Sequence, residues 1–414
     1  TRPTHSSAMV SPILRKASFT SGGTAPTVKP RSAKRFSAAA VATVVGFGGT
    51  VALVVQAGQA MGAAPAQIIS MVTALCLGIG LPGAVLSWRL KMPVVLAWST
   101  PGAALLAAST LGLGWSTAVG AFVIAGLMMV LTGLIPALGR LAERIPAAVA
   151  SAMLAGVLLP FCLKLFLVFP TDLMLAAGLL LVFLVMRRLA PAWSLPAVLV
   201  AAFAVLAARG QVALPEGTGL FGALSPVMPA FDWKAAVSLA LPLYLVTLAS
   251  QNLPGLVVLR AAGYEPPANR LILATGLASV IAAPFGAHGV NLAAITAAIC
   301  TEPDAHPDAS KRWTVGVIYG LFYLVVALFA APLAGLFIAM PTGALAVITG
   351  LALIAPLTGS LGAMMAAAKD REAAVLTFAA TASGVALFGV GSAFWGLAVG
   401  FLALAARRWI PARG

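Results

Sequence analysis

The sequence predicts an all-α integral membrane protein of fourteen spans, built as two inverted seven-span repeats. Three observations predict this. Hydrophobic residues make up 61% of the 414 positions and charged residues 8%. A soluble domain of that length must turn its exterior to water and has no use for so much apolar surface. Next, the apolar residues fall into fourteen runs, seven on each side of a single loop. Finally, the basic residues stand at the ends of those runs rather than on one folded face. The net charge of +15 therefore reports membrane topology, and nucleic acid is not an expected partner.

Residues 1–35 carry seven Lys and Arg with no acid, and read as a disordered basic tail. The first repeat, 36–208, holds runs at 36–58, 67–87, 93–108, 117–138, 146–168, 172–186 and 191–208. A connector follows at 209–232. The second repeat, 233–406, holds runs at 233–258, 270–283, 284–300, 313–331, 335–358, 372–389 and 391–406. A tail of 407–414 closes the chain. A helical span needs roughly 20 apolar residues, so the short third and tenth runs, broken by Gly, Pro or Asn, are the ones in question. Charge decides them. With both termini cytoplasmic and fourteen crossings, 22 of the 25 basic residues lie inside, leaving Lys164, Arg209 and Lys234 outside. Omitting both short runs puts Arg140, Arg144, Arg187, Arg188, Arg260 and Arg270 outside. Seven is an odd number, so the second repeat enters from the opposite side.

The two short runs echo each other. Ala97–Ala108 and Ala287–Ala298 share alanines at five of twelve positions, 190 residues apart. Each reads as extended chain, a capping residue and a short helix. Ser99 or Thr100 can cap the first, with Pro101 in its first turn and Gly102 beside it. Asn291, after Gly289, can cap the second. Broken helices whose N-termini meet inside a bilayer can hold an anion with free N–H groups and the helix dipole. A second echo, Ile145-Pro146 to Pro160 against Met340-Pro341 to Pro356, has an offset of about 195 residues.

The chemistry expected between these stubs is sparse. None of the ten acids lies mid-span, which suits an anionic guest. His288 precedes the second stub and is read either as a proton carrier or as a neutral side chain held by a carbonyl. Tyr244, Thr247 and Gln251 are spaced i, i+3, i+7 and share a helical face, beside Ser250 and Asn252. Gln56 is a weaker polar candidate in span 1. Trp98 can stack on an aromatic ring or simply pack. Thr301–Asp308 mixes acids with His306 but reads as a solvated connector, so no metal is expected. Cys76, Cys162 and Cys300 sit in apolar runs as packing residues. No catalytic set or phosphate loop occurs, so neither an enzyme nor a cofactor is expected.

Taken together, Ala97–Leu105, Thr247–Gly255, Asn291–Cys300, Glu302–Asp308 and Gly391–Gly396 resemble the benzoate/proton symporter (BenE) family of bacterial inner-membrane carriers. The likeness runs from about residue 36 to 406. It implies import of benzoate or a related aromatic acid with protons, an inner-membrane location with a periplasmic connector, and a homodimer as a candidate assembly. It further implies a fold similar to the uracil-permease and anion-exchanger group, in which spans 1–4 and 8–11 form a core, spans 5–7 and 12–14 form a gate, and substrate lies between spans 3 and 10. The carboxylate that span 8 brings to the site in uracil carriers is missing here, where Ser250-Gln251-Asn252 stands. Proton coupling therefore falls to His288. A nucleobase or inorganic-anion carrier of the same fold, and an aromatic-acid exporter or channel, are the rival readings.

Overall fold

The computed structural model describes residues 31–109, 112–138, 146–212 and 218–409. The tail expected over 1–35 lies almost wholly outside the described residues, as do Arg140 and Arg144. In chain order the elements are α1 (Arg31–Gly48), α2 (Val51–Ala60), α3 (Pro65–Leu90), β1 (Leu96–Trp98), α4 (Thr100–Ala107), α5 (Trp115–Leu134), α6 (Ala147–Leu167), α7 (Leu173–Leu189) and α8 (Ser194–Ala208). The second half holds α9 (Trp233–Ala261), α10 (Ala268–Ala282), β2 (Val290–Leu292), α11 (Ile295–Thr301), α12 (Trp313–Leu328), α13 (Ala330–Ile338), α14 (Thr342–Ala366), α15 (Arg371–Ala382) and α16 (Ser392–Trp409). Among the described residues, nine helical segments are long and apolar enough to cross a membrane.

Two run boundaries need correction. The run expected over 335–358 is the end of α13 followed, after a break at Pro341, by α14. Pro341 precedes the first turn of α14, where its missing N–H costs nothing. The run over 372–389 stops being helical at Ala382. Gly384 (φ +67°) and Gly389 (φ +75°) put the chain into left-handed turns, and Leu387 bridges back to Val390.

The connector is laced onto the helices rather than free. Gly222 N–H donates to Leu328 O at 2.7 Å, Val227 N–H to Pro284 O at 2.8 Å and Ala230 N–H to Ser116 O at 3.0 Å. These bonds place the start of α5, the end of α12 and the 3₁₀ turn after α10 on one face of the molecule. The loop before α12 is also folded. Arg312 pins it by donating to the carbonyls of His306 and Thr301, both at 2.7 Å.

Each strand hangs from a serine of the helix before it. Ser87, near the end of α3, accepts from Val94 N–H and donates to Val94 O, both at 3.0 Å. Ser279, near the end of α10, accepts from Val290 N–H at 2.9 Å and contacts Val290 O at 3.2 Å. Both serines are buried. Removing either hydroxyl strands a buried N–H, at about 1–3 kcal/mol. Ser87→Ala and Ser279→Ala are therefore expected to lower the thermal unfolding midpoint in detergent, while Ser383→Ala, on an exposed turn, leaves it unchanged.

Candidate functional site

β1 and β2 pair antiparallel at the centre of the molecule, with Leu96 opposite Leu292, Ala97 opposite Asn291 and Trp98 opposite Val290. Extended chain inside a bilayer needs a partner for every N–H and C=O. Ser99 N–H reaches Gly289 O at 3.3 Å, and Ala293 N–H reaches Val95 O at 2.9 Å. Three side chains close the outer edges. Asn252 Oδ1 accepts from Leu292 N–H at 2.9 Å, Tyr319 OH donates to Leu96 O at 3.0 Å, and His288 Nε2 donates to Ser99 O at 3.0 Å.

The strands deliver two short helices. Ser99 caps α4, accepting from Gly102 N–H at 3.0 Å, and its hydroxyl also meets Thr247 Oγ1 at 2.8 Å. Ala103 N–H turns back to Ser99 O and Pro101 has none, so Thr100 holds the one N–H at this tip left unused by the cap. A Cβ at Gly102 would stand 2.5 Å from Leu243 Cδ1 and 2.8 Å from the capping Ser99 Oγ, so both side chains would have to shift.

Asn291 is not the cap of α11, contrary to the sequence expectation. It lies inside β2, its Nδ2 donating to Leu292 O at 2.9 Å, and the residue before α11 is Ala294, which has no side-chain acceptor. Strand pairing takes Asn291 first, and the chain stays extended to Ala293. The centres of the two strands are 194 residues apart, which agrees with the second echo rather than with the 190-residue alanine match. In a chain this rich in alanine, alanine coincidences carry little register.

Beneath the helix tips lies a cavity of about 440 Å³. One wall is Trp98, Thr100, Pro101, Gln251, Ala294 and Thr296; the other is Leu158, Phe183, Arg187, Leu195 and Leu351. Arg187 is the one charged lining residue, its guanidinium 5.5 Å from the Phe183 ring. Trp98 is buried and fixed. Its Nε1–H donates to Thr50 Oγ1 at 2.5 Å, and its ring packs on Phe47 (5.4 Å) and edge-on to Tyr323 (6.3 Å). Thr296 Oγ1 and Tyr323 OH are buried without a partner among the described residues.

The other expected residues divide. Tyr244, Thr247, His288 and Gly289 line a void of about 10 Å³ on another side of the strands, beside Met129 and Ser279. The shared face expected for Tyr244, Thr247 and Gln251 does not exist. A π turn at Leu248–Asn252 inserts a residue and rotates Gln251 into the large cavity. Tyr244 OH instead bonds Thr132 Oγ1 at 2.7 Å. Asn252 serves β2, its Nδ2 resting on Met129 Sδ at 3.5 Å. Gln56 bonds Thr349 Oγ1 and Leu345 O (3.3 Å) on α14, away from the cavity. His288 Nε2 bonds Ser99 O at 3.0 Å. Since a carbonyl only accepts, the ring proton is on Nε2, and Nδ1 is left buried without a partner. Arg187 and Thr296 were missed. Arg187 reads in sequence as one of a topology-setting pair with Arg188, and a lone threonine in an apolar run carries no signal.

The model of the benzoate membrane transport protein family, BenE, matches residues 30–406. The chain belongs to that family. This BenE-family protein is 40% identical over 362 residues to "Inner membrane protein YdcO" of Escherichia coli (strain K12), covering 87% of this chain and 92% of the relative. It is 34% identical over 372 residues to the "Benzoate membrane transport protein" of Acinetobacter baylyi, covering 88% and 92%. Its fold is shared with the transmembrane domain of the cyanobacterial bicarbonate transporter BicA (TM-score 0.60, 17% identity, 90% of this chain and 97% of that one). It is shared also with SLC26A9 (TM-score 0.62, 14% identity, 94% and 67%). The BenE-family protein is thus a multi-pass inner-membrane transporter and not an enzyme.

Thr50→Val removes the one acceptor that the buried Trp98 N–H has among the described residues. The expected loss is about 1–3 kcal/mol of stability, read by thermal unfolding. Trp98→Phe in the Thr50→Val background should recover part of it, giving a non-additive double-mutant cycle.

Proposed function

We propose that this protein imports benzoate or a related aromatic carboxylate together with protons, by alternating access. The observation that carries this reading is the 440 Å³ cavity: apolar on most sides, bracketed by the tips of both strand–helix units, with a single cation and no acid in its lining. Clefts of this size suit small organic ligands. Thr100 N–H, Gln251 and Arg187 would receive the carboxylate. Trp98, Ile295, Leu195 and Leu351 would receive the ring. The family's printed name and that of the Acinetobacter relative support benzoate.

The inverted fourteen-span plan is part of the proposal. α3 packs on α12, and α10 packs on α5; exchanging the halves turns one pair into the other. The pairs α6 with α14 and β1 with β2 map onto themselves. The core would be α1–α5 with α9–α12, and the gate α6–α8 with α14–α16. The positive-inside rule puts both termini and Arg187 in the cytoplasm. The cavity then opens inward.

His288 is the proposed proton carrier. Its bare Nδ1 is free to take a proton, and its Nε2–H holds the carbonyl of the residue that caps α4. A positive ring there and an anion at the helix tip would each favour the other, since linkage is reciprocal.

Uptake of labelled benzoate into right-side-out membrane vesicles tests the site. Gln251→Ala and Arg187→Gln are each expected to raise KM severalfold in protein that still inserts; unchanged uptake by both refutes the site. His288→Gln can keep a donor to Ser99 O but cannot titrate, so stimulation by an inward proton gradient should disappear. Retained stimulation removes His288 from the coupling. Inhibition by salicylate but not by sulfate or uracil separates the aromatic-acid reading from its same-fold rivals.

A further inference from the structure

The connector between the two halves carries side chains that suit a loop in water poorly. Residues 218–231 hold no charge. Leu220, Phe221, Leu224, Met228, Phe231 and, just beyond, Trp233 are all turned outward, Met228 to 86%. Outward apolar side chains in such a run mark contact with a membrane or with a partner protein.

Depth separates those two occupants. At its C-terminal end α3 carries the exposed Arg89 and Lys91. The Lys91 ammonium lies 5.6 Å from the Trp88 ring and 4.0 Å from that of Trp313. A cation beside two indoles marks a membrane–water boundary, where tryptophan is enriched. From Pro65 to Trp88 the helix has no charged residue. Ser70 is 20 residues before Leu90, which at about 1.5 Å per residue puts it about 30 Å away. The hydrocarbon core of a bilayer is roughly 30 Å thick. Ser70 thus stands at the far boundary, and any tilt of α3 takes it deeper.

The connector is bonded to α3 at that level. Ser70 Oγ accepts from Ser225 N–H at 2.9 Å. Gly222 packs three residues further in, where a Cβ on it would collide with Ala327 O and stand 2.9 Å from Thr73 Oγ1. The chain therefore runs beside the first turns of α3 and not above them. Its backbone is suited to such a place. The N–H groups of Gly222, Ser225, Val227 and Ala230 donate inward to α12, α3, the turn after α10 and α5, all in the proposed core. Pro226 and Pro229 have no N–H to leave unpaired.

We infer that the connector is an interfacial strap, lying in the leaflet opposite Arg89 and Lys91 at the junction of head groups and acyl chains. Met228, Phe231 and Trp233 sit among the lipid. The partner of this surface is the bilayer itself, held by apolar burial without a charged anchor. The strap is independent of what the protein carries.

Single fluorescent reporters test it. Cys76, Cys162 and Cys300 are buried, so a thiol introduced by Met228→Cys or Phe231→Cys is the one that a nitrobenzoxadiazole maleimide reaches. Glu265→Cys, on the exposed turn between α9 and α10, gives the aqueous reference. Each labelled protein is purified and reconstituted in phosphatidylcholine liposomes, with iodide on both sides or with spin-labelled phosphatidylcholine in the bilayer. The two strap reporters should be quenched severalfold more than the reference by lipid labelled near the head group, and severalfold less than the reference by iodide. Iodide quenching equal to the reference overturns the strap. Protection from both quenchers also overturns it, since that is the signature of a protein partner or a second copy of this chain. Stronger quenching by lipid labelled at mid-chain than near the head group overturns the boundary depth.

Discussion

Antiparallel pairing of two three-residue strands is the constraint on which this molecule depends. Each strand is a stretch of extended chain in an apolar interior, where an unpaired peptide group costs several kcal/mol. Neither strand can exist alone. Pairing satisfies the inner edges, and Asn252, Tyr319 and His288 satisfy outer ones. Ser87 and Ser279 fix the chain as it enters each strand. Most buried polar side chains near the centre are thus committed to the backbone. Few remain uncommitted.

That commitment leaves few polar side chains facing the cavities. Ser99, Thr247 and Asn252 are occupied in holding the strands and the α4 cap. What faces the large cavity is the residue between them in the chain, Thr100, together with Gln251, which a π turn brings around. Arg187 lines the large cavity and Lys164 a second one, near opposite ends of α6 and α7, not at the centre. A fully buried cation would carry a heavy desolvation cost. Both are exposed, so each stays hydrated.

The alanine match in the sequence and the spacing of the paired strands differ by four residues, for a reason that applies beyond this chain. Alanine at matching positions reflects only the need for small residues at close helix contacts. Hydrogen bonding between strands is indifferent to side-chain identity and sets its own register. The serines that suspend the strands, Ser87 and Ser279, mark that register better, but a serine near the end of an apolar helix is common and does not announce a bonded partner.

Composition and the length of the apolar runs determined by themselves that the chain lives in a membrane. Those properties are sums over many residues, and the solvent enforces them one span at a time. The strand–helix character of the third and tenth runs was also legible, because Pro101 and Gly289 are local backbone signals. Tertiary structure alone decided that Asn291 belongs to a strand, that Gln251 parts company with Tyr244 and Thr247, that Gln56 serves α14, and that Arg187 and Lys164 face cavities. Each of those outcomes depends on which distant segment arrives as a partner, through a ladder register, a π turn or a helix crossing, and no local pattern of residue types encodes that arrival.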